Sequence, residues 1–294
     1  MRKLTVHLVV LALLFAACGG GEEADIDNLD TSATEDNAPD EITDATAYPI
    51  FISSEVVVGP NRFLVGVLDE NDAPIGSPDL DVSIAFEPAG EGTPIASSPM
   101  EFLETVPGQR GVYVSTPEFD AKGEWAATVD ISGKGIDESI TQPFEVAAEG
   151  TTPAIGAPAP PSDTPTADDV GSLKEISTAE DPDPRFYGSS IAEALKAGEP
   201  FVVVFATPKF CSSQVCGPTL DDITKIAEDF PKLTFIHSEI YEGLEPNNPP
   251  VAAVKEWGLP SEPWVFVVDA EGKVAAKYEG SVGEGEIRPV LEKL

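Results

Sequence analysis

Cysteine, histidine and methionine are scarce here: the 294 residues hold three, two and two of them. So few thiol and imidazole ligands leave poor material for a metal centre, and no metal or other cofactor is expected. The chain has no Ser-His-Asp arrangement and no glycine-rich phosphate loop, which removes two common routes to hydrolysis and nucleotide binding. Basic residues are short as well, with 17 Lys and Arg against 52 Asp and Glu, a net charge of −35. That balance excludes nucleic acid as a partner and docking on anionic lipid heads. It fits solubility at a crowded cell surface or in a salty habitat, with a basic partner as the lesser alternative. No internal repeat is present, and the one long apolar run, from Leu8 to Ala17, is too short to span a membrane.

That run follows Arg2 and Lys3 and ends on small residues before Cys18, the pattern of an export signal over residues 1–17. The stretch Phe15-Ala16-Ala17-Cys18 resembles a bacterial lipobox. The resemblance implies acylation of Cys18 and attachment to the membrane through an N-terminal lipid, with plain secretion as the alternative. Between Gly19 and Ala47 the chain holds ten acidic residues and no basic one. Such a segment buries too little apolar surface to offset its ordering entropy, so residues 18–46 are expected to form a lipidated, disordered tether. With Cys18 acylated, Cys211 and Cys216 remain as an even pair in an extracytoplasmic compartment of the cell envelope, where disulfides persist.

Prolines at 153, 158, 160, 161 and 165 mark residues 149–171 as a semi-rigid spacer between two halves. Residues 47–148 read as all-β: NRFLVGVLD, DVSIAFEP, GVYVSTPEF, GEWAATVDI and ESITQPFEV are strand-like runs divided by Gly, Pro, Asp and Asn. The order of features, Gly59 to Phe63, Asp69 to Pro74, Gly111 to Tyr113 and Gly123 to Trp125, resembles bacterial immunoglobulin-like sandwiches of the YtkA/FixH sort. Some of those modules bind copper through Met and His clusters. This half has Met100 and no histidine, so that function does not carry over, and Tyr113 and Trp125 are expected in the core.

In residues 172–294 the hydrophobic period changes. SSIAEALKAGEP, PTLDDITKIAEDF, VAAVKEWG and EIRPVLEKL read as helices, and FVVVFA, KLTFIHSEI, WVFVVDA and GKVAAKYEG as strands. The apolar strand 201–206 running into cysteines, the loop Trp257-Gly258-Leu259-Pro260-Ser261-Glu262-Pro263-Trp264, the turn Asp269–Lys273 and Gly280 together resemble the thioredoxin-like superfamily. The fold class expected is therefore an all-β sandwich followed by an α/β thioredoxin-like domain. The resemblance implies a cis Pro263 beside the disulfide and thiol–disulfide exchange with thiols or disulfides of exported proteins. Two departures weaken the analogy: the spacing is C-x4-C rather than C-x-x-C, and the strand before the cysteines lacks the buried Asp that assists proton transfer.

Residues i and i+5 of a helix are turned by about 500°, so they face apart. A bond between them needs Cα atoms within roughly 7 Å. Cys211 is therefore expected in the loop and Cys216 in or near the first helical turn, with Ser212 or Ser213 as the cap. Two alignments stay open, one making Cys211 the nucleophile and the other overlaying Cys216-Gly217-Pro218-Thr219 on C-G-P-C; the first is preferred. Lys209 is expected to add positive charge beside the pair and Trp264 to narrow the peptide groove, while Trp257 is expected in the core. The rival readings are a non-catalytic binding or scaffold protein, in which Cys211–Cys216 only pins the loop, and Sco-like metal delivery, which requires His237 within reach of both sulfurs.

Overall fold

The computed structural model describes residues 45–211 and 213–294. The export signal, Cys18 and nearly all of the acidic tether lie outside them, as does Ser212. Alternation builds the first half. Ten strands run β1 (Ala47–Phe51), β2 (Gly59–Pro60), β3 (Phe63–Asp69), β4 (Asp81–Pro88), β5 (Ile95–Pro99), β6 (Glu101–Val106), β7 (Arg110–Ser115), β8 (Glu118–Phe119), β9 (Gly123–Gly133) and β10 (Ile136–Val146). They make two four-stranded antiparallel sheets, β1-β3-β7-β6 and β10-β9-β4-β5, with β2 and β8 paired separately. In β4 the buried residues are Val82, Ile84 and Phe86, and in β9 Trp125, Ala127, Val129 and Ile131, each at every second position. These side chains meet Phe63, Val65 and Val67 of the other sheet in one core, so the half is a β-sandwich. Tyr113 and Trp125 sit in that core, their polar ends bonded to Ser77 O at 2.8 Å and Ala121 O at 3.1 Å.

The second half runs α1 (Ile191–Ala197), β11 (Phe201–Phe205), α2 (Cys216–Asp229), β12 (Thr234–Ser238), α3 (Ala252–Glu256), β13 (Trp264–Val268), β14 (Val274–Glu279) and α4 (Glu284–Leu291). One mixed sheet, in the order β12-β11-β13-β14, forms its centre, with β11 and β12 parallel and the other pairs antiparallel. β11 is buried at every position because both faces of the sheet are covered. One face, with Val202, Val204, Val265 and Val267, packs on Cys216, Leu220, Ile223 and Ile226 of α2. The other, with Phe201, Val203, Phe205, Trp264 and Phe266, packs on Ile191, Ala194 and Trp257. No helix among the described residues is long and apolar enough to cross a membrane.

The proline-rich segment, expected as a semi-rigid spacer, packs along the second half. Gly156 N–H donates to Val274 O at 2.8 Å, Val274 N–H to Ala157 O at 3.0 Å and Ala159 N–H to Gly272 O at 2.9 Å, so the segment lines the start of the edge strand β14. An edge position tolerates proline because the missing N–H faces away from the ladder. Ser162 then accepts from Trp257 Nε1 at 3.2 Å, and Thr152, Ala159, Ser162 and Thr164 are buried.

The two halves form one compact unit. Arg62 of the sandwich holds Glu286 through Nε at 2.6 Å and Nη2 at 2.9 Å, and donates to Glu279 O and Ser281 O, each at 2.7 Å. Lys277 pairs with the half-buried Glu55 at 2.5 Å, while Glu55 also accepts from Thr151 N–H at 2.7 Å and Thr152 N–H at 3.0 Å. These are charge-assisted contacts between partly buried side chains.

Candidate functional site

After β11 the chain makes a tight turn, in which Phe210 N–H and Cys211 N–H both donate to Thr207 O. A second turn follows, with Gln214 N–H donating to Cys211 O and Gln214 itself at φ +60°. The two turns bring Cys216, the first residue of α2, back to Cys211 with Cα atoms 6.0 Å apart, and the cysteines are joined as a disulfide. The placement of one cysteine in the loop and the other at the helix start thus agrees with the spacing argument. The cap does not. Val215 precedes the helix without a side-chain cap, and Ser213 instead lies with its hydroxyl 3.1 Å from Cys211 Sγ. The N-cap position itself is taken by Val215, whose side chain has no group that could accept from the helix amides.

The sulfurs differ in access. Cys211 keeps 8% of its surface exposed and Cys216 none. Beside the loop opens a cleft of about 790 Å³. Phe210 and Gly217, the immediate neighbours of the two cysteines, line it together with Thr178, Pro208, Lys209 and Leu220.

The Glu262–Pro263 peptide bond is cis. Glu262 Oε2 accepts from Thr207 N–H at 3.1 Å, which ties the proline loop to the cysteine turn, and it lies 3.6 Å from Cys216 Sγ. Tyr241 OH donates to the other oxygen at 3.5 Å. Among the described residues no cation pairs with Glu262, and burial, opposed by the Thr207 and Tyr241 bonds, raises its carboxyl above the usual range. β11 itself carries no acidic residue, and the carboxylate 3.6 Å from Cys216 Sγ comes from the proline loop. Composition gave no sign of it. Its one signal was its place directly before the proline of a loop expected beside the disulfide.

The remaining sequence candidates fall elsewhere. Trp264 does not narrow a groove over the disulfide: it is buried on the opposite face of the sheet, stacked on Phe266 at 5.6 Å. Strand alternation decides this, since residues 265 and 267 face α2. Lys209 is exposed, and its ammonium lies over the Phe210 ring, 5.1 Å from the centroid. His237 is fully buried. Its Nε2 lies 3.0 Å from Ala206 O, which can only accept, so Nε2 carries the proton and Nδ1 accepts from Tyr187 OH at 2.7 Å. Both nitrogens are engaged, and the ligand-type atoms gathered at the two cysteines come from Glu262 and not from His237, so the ligand set of two cysteines and His237 does not form; burial lowers the imidazole pKa to about 4. Glu239, on the residue after β12, is buried with Oε1 accepting from Thr178 N–H and Oγ1 and with Oε2 unpartnered; burial raises its pKa to about 7.

No protein-family model matches the chain, and no curated protein matches it. Among solved structures the chain is similar to the Lin-41 filamin domain, at 17% identity and a TM-score of 0.21, over 36% of this chain and 93% of that one. A likeness at that score carries no argument, and the description of the first half as a sandwich rests on its own two sheets.

Proposed function

We propose that the chain is an envelope-attached, thioredoxin-like thiol–disulfide oxidoreductase whose immunoglobulin-like sandwich carries the redox half. The observation that carries this reading is the asymmetry of the pair: a loop cysteine that keeps 8% of its surface, a helix-start cysteine that keeps none, and a carboxylate 3.6 Å from the sulfur of the second. The element order of the second half supports it, as does the tie of the Pro263 loop to the cysteine turn through Glu262 and Thr207. Access assigns Cys211 as the attacking or attacked sulfur, because Cys216 offers no surface to an incoming group. In the reducing direction, the Cys211 thiolate attacks a disulfide of an exported protein, forms a mixed disulfide and expels one substrate thiolate. The Cys216 thiol passes its proton to Glu262, and the thiolate then attacks Cys211 Sγ. The pair ends oxidised and the second substrate thiol is released, two electrons having moved to the substrate. The oxidising direction reverses these steps. Position at the start of α2 favours the Cys216 thiolate in either direction.

The chain carrying Cys18→Ala, equilibrated across glutathione buffers and counted for free thiols by mass after alkylation, tests this reading. A midpoint within roughly −120 to −270 mV is expected, the range of dedicated exchange proteins. A pair that stays oxidised below about −300 mV behaves as a structural bridge and overturns the assignment. That outcome belongs to the second reading, a binding or scaffold protein with a stapled loop, which the near-complete burial of both sulfurs favours.

A further inference from the structure

We propose that reduction of the pair converts Cys211, Cys216 and Glu262 into a binding site for a thiophilic divalent cation of the zinc type. This goes beyond thiol exchange and does not depend on it. One ligand-type atom from each of the three residues lies within 4.8 Å of the other two. Tetrahedral zinc has Zn–S near 2.3 Å and Zn–O near 2.1 Å, so a sulfur and an oxygen sharing one ion stand about 3.6 Å apart. Cys216 Sγ and Glu262 Oε2 are already separated by 3.6 Å. Two thiolates on one zinc are about 3.8 Å apart, a separation that the sulfurs gain only once the disulfide is broken. The Cα separation of 6.0 Å serves both the bridge and the chelate.

The carboxylate is also held as a ligand should be. Thr207 N–H and Tyr241 OH fix one oxygen each, the kind of outer contact that orients a metal-bound group. No cation among the described residues competes for it. Two thiolates and one carboxylate suit a borderline cation better than a soft monovalent one, and three protein ligands leave the fourth position to water.

The chemistry balances with a phosphine as reductant. The disulfide, one phosphine and one water give two thiols and one phosphine oxide, and the arriving cation displaces two thiol protons to solvent while Glu262 binds as the carboxylate. The disulfide form has no thiolate to offer, so cation and disulfide exclude each other.

The test uses the chain carrying Cys18→Ala, reduced with tris(2-carboxyethyl)phosphine and titrated with Co²⁺ as the optical probe, then with Zn²⁺ against a chromophoric chelator. Expected are thiolate-to-cobalt absorption with the d–d bands of a tetrahedral ion, loss of both on adding Zn²⁺, and neither in the oxidised chain. Glu262→Gln keeps an acceptor for Thr207 and is expected to weaken Zn²⁺ binding at least 10-fold with unchanged circular dichroism. Should that variant unfold, Cys211→Ser serves, with loss of the sulfur-to-cobalt band expected. Absence of that band in the reduced parent overturns the proposal, as does parental affinity in a folded Glu262→Gln. Equal Zn²⁺ affinity of the oxidised chain assigns binding to other carboxylates and overturns it too. A pair that the phosphine fails to reduce in the folded chain does the same. The redox midpoint, measured without metal, judges the exchange reading separately.

Discussion

His237 and Glu239 stand two residues apart on the β12 side of the sheet, both buried and moved in opposite senses by the same desolvation. The imidazole, near 4 in the fold against 6.5 when exposed, contributes stability that is complete above 6.5 and is lost as the pH falls toward 4. The carboxyl, near 7 in the fold against 4.5 when exposed, contributes stability that is complete below 4.5 and is lost as the pH rises toward 7. Each effect amounts to roughly 3 kcal/mol, since a tenfold change in proton affinity is worth about 1.4 kcal/mol, so between about 4.5 and 6.5 they oppose one another. Glu239→Gln removes one side of that opposition. Its urea midpoint is expected to fall steadily from pH 6.5 to 4.5 while that of the parent stays nearly level, and a level profile in the variant refutes the assignment. Glu262→Gln is expected to slow thiol exchange by roughly 10²-fold or more, as loss of a proton acceptor does. Stopped-flow reduction of a peptide disulfide measures this. The cysteine geometry was legible at this scale because five-residue spacing and helix pitch fix it. Glu262 was not, because 46 residues separate it from Cys216 and an acidic residue in a turn reads as solvated.

Secondary elements were the most legible level. Helix α1 is bounded by Ser190, whose hydroxyl accepts from Glu193 N–H at 3.1 Å, by the return bond from Ser190 N–H to Glu193 at 2.9 Å, and by Gly198 at φ +68°. All three signs stand in the sequence. Ser190→Ala is expected to cost about 1 kcal/mol in chemical denaturation, the usual loss for such a cap. Trp264 was misplaced although the parity of β13 already put it opposite Val265. The docking of the proline-rich stretch was illegible for another reason: composition reports backbone stiffness, while docking depends on partners far along the chain. Gly258 shows one such partner. It sits at φ +61°, and a Cβ there would stand 2.1 Å from Thr151 O. Gly258→Ala is expected to destabilise by more than the roughly 1–2 kcal/mol of a left-handed alanine, because the segment beginning at Thr151 must also shift. Increased amide exchange at Gly156 and Ala159 in that variant locates the effect.

The whole molecule is held at its middle by few cations. Arg62 and Lys277 together engage Glu286, Glu55 and two backbone carbonyls across the contact between the halves. Removing one partner of such a half-buried, hydrogen-bonded pair strands the other, at a cost below the roughly 3–5 kcal/mol of a fully buried pair. The parent is expected to unfold in one calorimetric transition and Arg62→Ala in two, the sandwich and the disulfide-bearing half melting apart; a single transition in the variant refutes the coupling. None of this could be read from the chain, because both pairs join residues more than 200 positions apart. The docked proline segment has a further consequence, for digestion. Proteases take their substrates as extended, unpaired backbone, and the amides of Gly156 and Ala159 and the carbonyl of Ala157 are already paired with 272–274. The stretch whose composition most invites a nick is therefore shielded. The sandwich and the disulfide-bearing half should survive attack as one fragment, and clipping between them should begin only where the edge of β14 has first peeled away.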